Sequence, residues 1–338
     1  MKIISLAQIG EFSLLKRLEN KLNLKMSAGS GILIGIGDDA FAAKFTASKV
    51  LVVTNDVLVE NIHFRRNWML PHELGYKALA VNLSDLAAMG GARPLYAFVG
   101  LAVPGDTSVD FVDKLYIGMN KACAKHGSII AGGDTVSSQK DIVISVTLIG
   151  DIDKKMLISR SNAKPGDLIF VTGTFGDSGA GLSILAKKGR VGGSRLEKKL
   201  TRKHLLPEPR LKIARLLSKT GKVTSMIDSS DGLAASLRFI TEKSSCGADI
   251  FTEQIPLSRE LRQFSLKNKR IKPLDLALNA GEDYELVFTV NPGGAEDIKN
   301  ISSDITCIGV INDSRQIRYF TEDKLSNIEA KGYQAFIL

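Results

Sequence analysis

One tryptophan and three cysteines occur among 338 residues, and no apolar run approaches the length of a membrane span. The thiols, Cys123, Cys246 and Cys307, are odd in number, far apart and free of CxxC or Cys/His spacing. That usage excludes a disulfide framework, an iron–sulfur cluster and a zinc site, and it fits structural thiols in a reducing compartment. The first residues, "MKIISLAQIGEFSLLKRLENKL", carry acids and helical spacing but no long apolar segment, so no signal or transit peptide is expected. A cytoplasmic location without a membrane partner follows. Also missing are a Walker A sequence, the protein-kinase loop set and the dinucleotide-binding glycine spacing, which "GTFGDSGAG" at 173–181 does not match. The familiar nucleotide folds are thereby disfavoured. The glycines of that stretch either bring a helix N-terminus close to a phosphate or permit tight packing.

Aromatic residues make up only 6% of the chain, and this bears on its charge of +9. Between Lys187 and Lys222 stand 13 Lys/Arg against 2 Asp/Glu, so the rest of the chain is slightly acidic. No aromatic residue is interleaved in that stretch for base stacking, and apolar spacing at Leu211, Ala214 and Leu217 marks a helix, with Pro207 and Pro209 as a break before it. A solvated helical face is expected rather than a nucleic-acid patch.

What is present is a mixed α/β pattern. The length allows two domains, and 44% hydrophobic residues suffice for their cores. Strands are expected in "ILIGIG", "KVLVVT", "YAFVGLAV", "SIIAG" and "DIVISVTLIG", and helices over 72–89, 108–126 and 231–244. A boundary is expected within 151–166, a polar stretch carrying Pro165-Gly166.

Strand-like runs repeatedly close on an aspartate: Asp38 and Asp39 after "ILIGIG", Asp56 after "LVVTN", Asp134 after "SIIAGG", and Asp228 after "VTSMI". In an open α/β sheet the carboxyl ends of neighbouring strands meet at one crevice, so these side chains are expected to gather. Asp85 lies among apolar neighbours in a helical run, where a bare carboxylate is costly unless paired. Asp231, like Ser230, is either part of this cluster or an N-cap of the following helix. Charges about 5 Å apart at an effective dielectric of about 20 repel by roughly 3 kcal/mol per pair. Such a cluster holds protons or recruits cations, and oxygen ligands without His or Cys select Mg²⁺, Mn²⁺ or Ca²⁺. An Asp-rich, Mg²⁺-holding crevice points to phosphoryl chemistry.

Taken in order, "GIGDDA", "TNDVLVENIHF", "KALAVNLSDLAAMGGARP", "GGDT", "SRSNAKPGDLIFVTG", "IDSSDGLAASL" and "GEDYEL" resemble the thiamine-monophosphate kinases over nearly the whole chain. The resemblance implies a two-domain, aminoimidazole-ribonucleotide synthetase-like α/β architecture with mixed sheets. Residues 1–152 would form an ATP- and Mg²⁺-binding half that dimerises, and 153–338 an α/β half completing the cleft. It further implies transfer of the γ-phosphoryl group of ATP to thiamine monophosphate with several Mg²⁺ ions. Carried over by motif, Asp38, Thr54, Asp56, Asp85, Asp134, Asp228 and Asp231 would hold metal. Gly133, Asp134, Arg160 and Ser230 would serve ATP, and His63, Glu282 and Tyr333 the acceptor. His63, Arg160 and Tyr333 each have a structural alternative: a turn or core histidine, a surface arginine, a tail anchor. Three positions depart from the family pattern: Asn55 for a hydroxyl residue, Ala280 for glycine and Ala335 for histidine. The rivals are another ATP-using enzyme of the superfamily, such as a selenophosphate synthetase-like one, and a non-catalytic nucleic-acid-binding protein using 187–222.

Overall fold

The computed structural model describes residues 8, 10, 11, 13, 14, 17, 18, 31–35, 37–190, 193–326, 328, 330, 332 and 333. Ala335 and most of the expected N-terminal helix lie outside them. The first half comprises β1 (Ile32–Ile34), β2 (Phe41–Lys44), β3 (Lys49–Val59), α1 (Pro71–Ala88), β4 (Arg93–Pro104), α2 (Val109–His126), β5 (Ile129–Ser138) and β6 (Val143–Asp153). Its sheet runs β1-β2-β3-β6-β4-β5, antiparallel throughout except for the β4–β5 pair.

The second half follows after a short 3-10 turn. It contains β7 (Leu168–Thr172), α3 (Asp177–Lys188), α4 (Arg195–Leu205), α5 (Leu211–Lys219), β8 (Val223–Asp228), α6 (Leu233–Ser244), β9 (Gly247–Phe251), α7 (Arg259–Lys267), α8 (Pro273–Asn279), β10 (Leu286–Val290), α9 (Ala295–Lys299), β11 (Ile305–Asn312), β12 (Ile317–Thr321) and β13 (Lys324–Ser326). Its sheet runs β13-β12-β9-β11-β7-β10-β8.

The mixed, mainly antiparallel sheets correct one expectation. The aspartates do not meet at the carboxyl ends of parallel strands: Asp56 lies within β3 and Asp134 within β5. The expected strand at 32–37 is also shorter, three half-buried residues ending before the Gly-rich turn.

What joins the halves is α1. Pro71 opens it, and Glu73 Oε2 accepts the Leu70 N–H at 3.0 Å. From Glu73 to Ala88 every residue except Asp85 is buried, as befits a helix apolar on all sides. It packs against β3 and β6 of the first sheet and against β8 and α5 of the second half. A continuous core accordingly runs from Val52, Leu79 and Leu148 to Met226 and Phe288. On the flank, α1 crosses α2 through two glycines: a Cβ on Gly75 would lie 1.9 Å from the Leu115 carbonyl oxygen, and one on Gly118 1.9 Å from that of His72. Two further cores lie between the second sheet and α6 and α8, and among α3, α4 and α7.

Candidate active site

Alternation along β3 sets the first side of the site. Thr54, Asp56 and Leu58 share the face turned toward α1, whereas Asn55 and Val57 are exposed on the other. The Asn55 amide donates to Ser145 Oγ at 3.1 Å and Thr147 Oγ1 at 2.9 Å on β6. This departure from the family pattern thus has its own partners across the strand pair.

Asp85 comes to the same place from α1 and accepts a short hydrogen bond from Thr54 Oγ1. One residue earlier, Ser84 Oγ donates to Asp228 Oδ2 at 2.6 Å, tying the end of β8 to α1. Carboxylate oxygens of Asp39, Asp85 and Asp228 lie within 4.8 Å of one another. Asp39, and not the neighbouring Asp38 implied by the family resemblance, is the member of this group. Asp38 Oδ1 instead accepts the Asp39 N–H at 3.0 Å, and its two oxygens accept the Arg160 N–H at 3.3 and 3.1 Å, pinning the loop. The doubled "DD" of the sequence was the available signal, and turn geometry decides which carboxylate faces inward.

Arg160 is no loose surface charge. Its Nε and Nη2 bond the two Asp39 oxygens at 3.1 and 2.8 Å, and its guanidinium lies 5.1 Å from the centre of the Phe239 ring. Burial raises the other carboxyl groups, and their mutual repulsion adds to it: Asp38 to about 7 beside Asp39, Asp56 to about 6, and Asp85 and Asp228 well above the carboxylate range. Burial also lifts Asp231 to about 7.

These groups line one cavity of about 940 Å³, together with Thr54, His63, Arg160, Ser230, Asp231, Glu282 and Tyr333. Val59 N–H donates to His63 Nδ1 at 3.0 Å, leaving Nε2 as the remaining polar atom of that ring. Neither Ser230 nor Asp231 caps α6, because Gly232 occupies the N-cap with no side-chain bond. Their carbonyls accept from Glu282 N at 2.6 Å and Tyr333 N at 2.9 Å. Ala280 adopts right-handed helical angles, φ −81° and ψ −28°, so the methyl in place of a glycine costs no backbone strain there.

Glu282 is held in the left-handed region at φ 58°. Its Oε1 lies 2.8 Å from Lys77 Nζ and its Oε2 3.0 Å from His204 Nδ1. Burial alone would raise its carboxyl, but Lys77 and then His204 outweigh that and hold it well below the usual range. Lys77 and His204 were not singled out from sequence, since one lies inside an apolar helix and the other inside the basic stretch.

Two candidates stand apart. Gly133 and Asp134 sit on β5, the exposed edge strand, and do not line the cavity. There Asp134 Oδ1 accepts the Thr135 N–H at 2.9 Å, and a Cβ on Gly133 would lie 1.9 Å from the Val99 carbonyl oxygen. The 173–181 glycines also lie away from the cavity. Asp283 accepts the N–H groups of Gly176 at 2.6 Å and Ser178 at 3.0 Å, so the start of α3 is already occupied by a carboxyl group of this chain, and the packing alternative applies. Much of the 187–222 stretch is likewise engaged within the chain, through Arg190–Glu73, Lys188–Glu197, Lys199–Glu260 and Arg210–Glu285.

Residues 37–152 match the model of the AIR synthase related protein N-terminal domain, and residues 164–321 that of its C-terminal domain. The chain is 37% identical to the thiamine-monophosphate kinase of Bacillus subtilis, over 91% of this chain and 94% of that one. It is 34% identical to that of Aquifex aeolicus, over 98% and 99%. The chain belongs to the thiamine-monophosphate kinase family. Its fold superposes on AaThiL complexed with AMPPCP and TMP with a TM-score of 0.86 at 32% identity, covering 99% of this chain and 100% of that one. Within this kinase family, the acidic cavity between α1, β3 and β8 is the natural place to look for phosphoryl chemistry.

Proposed function

We propose that this chain is a thiamine-monophosphate kinase, transferring the γ-phosphoryl group of ATP to the phosphate of thiamine monophosphate and releasing thiamine diphosphate and ADP. The observation that carries the reading is the convergence of Asp39, Asp85 and Asp228 on one cavity in a chain of this family. The oxygen-only donor set, with no His or Cys among those three, fits a hard cation. Asp39, Asp85 and Asp228 would hold Mg²⁺, with Thr54, Asp38, Asp56 and Asp231 around them, and when bound the ions supply charge neutralisation between two polyanions.

The chain's own residues do the positioning. Thr54 and Ser84 fix the Asp85 and Asp228 carboxylates. Arg160, already at the cluster, brings a permanent positive charge to the transferring group. The acceptor phosphate is ionised at neutral pH, so no strong general base is required of the protein. Ser230 serves the nucleotide, and His63 Nε2, Glu282 and Tyr333 receive the acceptor.

Residues 1–152 and 153–338 form the two units, and the first unit pairs with a second copy. Tyr96, Phe98, Ile129 and Val136 leave an exposed apolar surface around the edge of its sheet, which supports that pairing. Gly133 and Asp134 lie on the same edge strand and would join the site only in such an assembly.

Mixing the purified protein with ATP, Mg²⁺ and thiamine monophosphate tests the activity. Thiamine diphosphate is expected by chromatography and is abolished by EDTA. ADP formed only with a different acceptor would refute the substrate assignment. The selenophosphate synthetase-like rival, whose selenide chemistry calls for a reactive thiol, finds no support, because Cys123, Cys246 and Cys307 do not line the cavity.

A further inference from the structure

We propose that Lys77 and His204 are positioning residues for the acceptor: together they clamp both oxygens of Glu282, so that its carboxylate presents a fixed negative charge to the cationic or N–H-bearing end of the substrate. This rests on the function proposed above and adds to it a specificity device in two residues that never enter the phosphoryl-transfer cluster.

Three elements distant in sequence build the clamp. Lys77 projects from the first half of α1, about two helical turns before Asp85, and its side chain is 0% exposed. Burying an ammonium in a helix whose buried residues are mostly Leu, Ala and Val is costly and needs a specific counter-charge. The Glu282 ion pair is that counter-charge, and apart from it Nζ has no hydrogen-bond partner among the described residues. His204, 2% exposed, reaches in from α4 to the second oxygen, and Ser178 Oγ lies 3.1 Å from the same Nδ1. A carboxylate only accepts, so Nδ1–H is the donor to Glu282, and burial together with the nearby Lys77 charge lowers the imidazole below its ordinary value.

The carboxylate itself is different: 24% of the Glu282 side chain remains accessible, and it lines the cavity with His63 and Tyr333. A purely structural ion pair would be expected to close over both partners. Here the cation is sealed and the anion is left open toward the cavity, on a residue whose left-handed φ of 58° fixes the backbone. A carboxylate so held cannot welcome the substrate's phosphate. It suits a ring amine or a ring cation, the opposite end of a phosphorylated aromatic cation such as thiamine monophosphate. Each oxygen keeps a lone pair after the clamp is made, so ligand and clamp need not compete.

The test is a double-mutant cycle read by calorimetric titration with thiamine monophosphate, and separately with a non-hydrolysable ATP analogue and Mg²⁺. Lys77→Met and Glu282→Gln are each expected to weaken thiamine monophosphate binding by about tenfold or more, with nucleotide binding changed less than about twofold. In the Glu282→Gln background, Lys77→Met is expected to cause no further loss. Equal, additive losses in the two backgrounds would overturn the proposal, as would parallel losses for both ligands. Should Lys77→Met fail to fold, His204 carries the test: His204→Asn, which retains a donor near Nδ1, should keep most of the affinity that His204→Leu loses. A folded His204→Leu protein binding as the wild type does would remove His204 from the clamp. If the wild-type protein itself binds no thiamine monophosphate, the function proposed above fails first, and that result is distinct from unchanged variants of a binding-competent enzyme.

Discussion

The two aspartates of "GDDA" differ in chemical duty although they are adjacent in sequence. Asp38 spends its oxygens on backbone N–H groups of Asp39 and Arg160, whereas Asp39 faces Asp85 and Asp228. Asp39→Asn and Asp85→Asn are therefore expected to lower kcat by about 10²–10³-fold, comparable with removing a direct transition-state contact. Asp38→Asn, which mainly disturbs the support of the loop at the rim of the acidic cluster, should cost about 10–100-fold, chiefly in Mg²⁺ dependence. Steady-state kinetics over a Mg²⁺ series distinguishes the two, and equal effects would show that both aspartates do the same work. The same crowding makes a stability prediction. Removing one of several repelling, buried carboxylates should raise the melting temperature of metal-free Asp85→Asn by about 2 °C or more, even as activity falls. A metal-free variant melting well below the wild type would show that the Thr54 contact outweighs the repulsion.

At the level of elements, the helices expected over 72–89, 108–126 and 231–244 are found at 71–88, 109–126 and 233–244, because apolar spacing and caps are local properties. The buried Leu211, Ala214 and Leu217 face of α5 was legible for the same reason. What could not be read was how β3 and β5 sit in their sheet. Antiparallel pairing of β3 with β6 is a long-range choice, so the inward set Thr54 and Asp56 is fixed by register rather than by strand ends. Asp134 shows the other side of this: its motif is strong, but its strand is an edge, and the sequence does not reveal sheet order. Lys77 and His204 were hidden because each sits in a stretch whose bulk character, apolar or basic, masks one residue turned toward another element. The α1–α2 crossing yields a test of how tightly α1 is held. Gly75→Ala would place a methyl against the Leu115 carbonyl and should destabilise the protein by about 1–3 kcal/mol in a urea titration, with Gly118→Ala behaving alike. Wild-type midpoints for both would mean that the helices can separate freely, and the placement of Asp85 would then need another explanation.

For the whole molecule, the site is an electrostatic load carried at the junction of the two halves. Asp38, Asp56 and Asp231 are raised to between about 6 and 7 from an ordinary 3.8, and Asp85 and Asp228 rise further. A carboxyl whose folded pKa lies above its unfolded one binds more protons in the native state, so its stabilising contribution is complete at low pH and is lost as pH rises through the folded value. His63, His126 and His204 act in the opposite sense, since burial lowers each, and they favour the folded state as pH climbs past about 6.5. The raw melting temperature therefore mixes two opposed trends, and the increment produced by Mg²⁺ isolates the acidic cluster. At pH 5.5 most of these carboxyl groups hold protons and a cation must displace them; at pH 8 Asp38, Asp56 and Asp231 are ionised and repelling. The Mg²⁺-induced rise in melting temperature should accordingly be larger at pH 8 than at pH 5.5 at the same free concentration, and most of it should vanish in Asp39→Asn. An increment that is equal at the two pH values, or that survives in Asp39→Asn, would mean that the ions bind elsewhere on the chain.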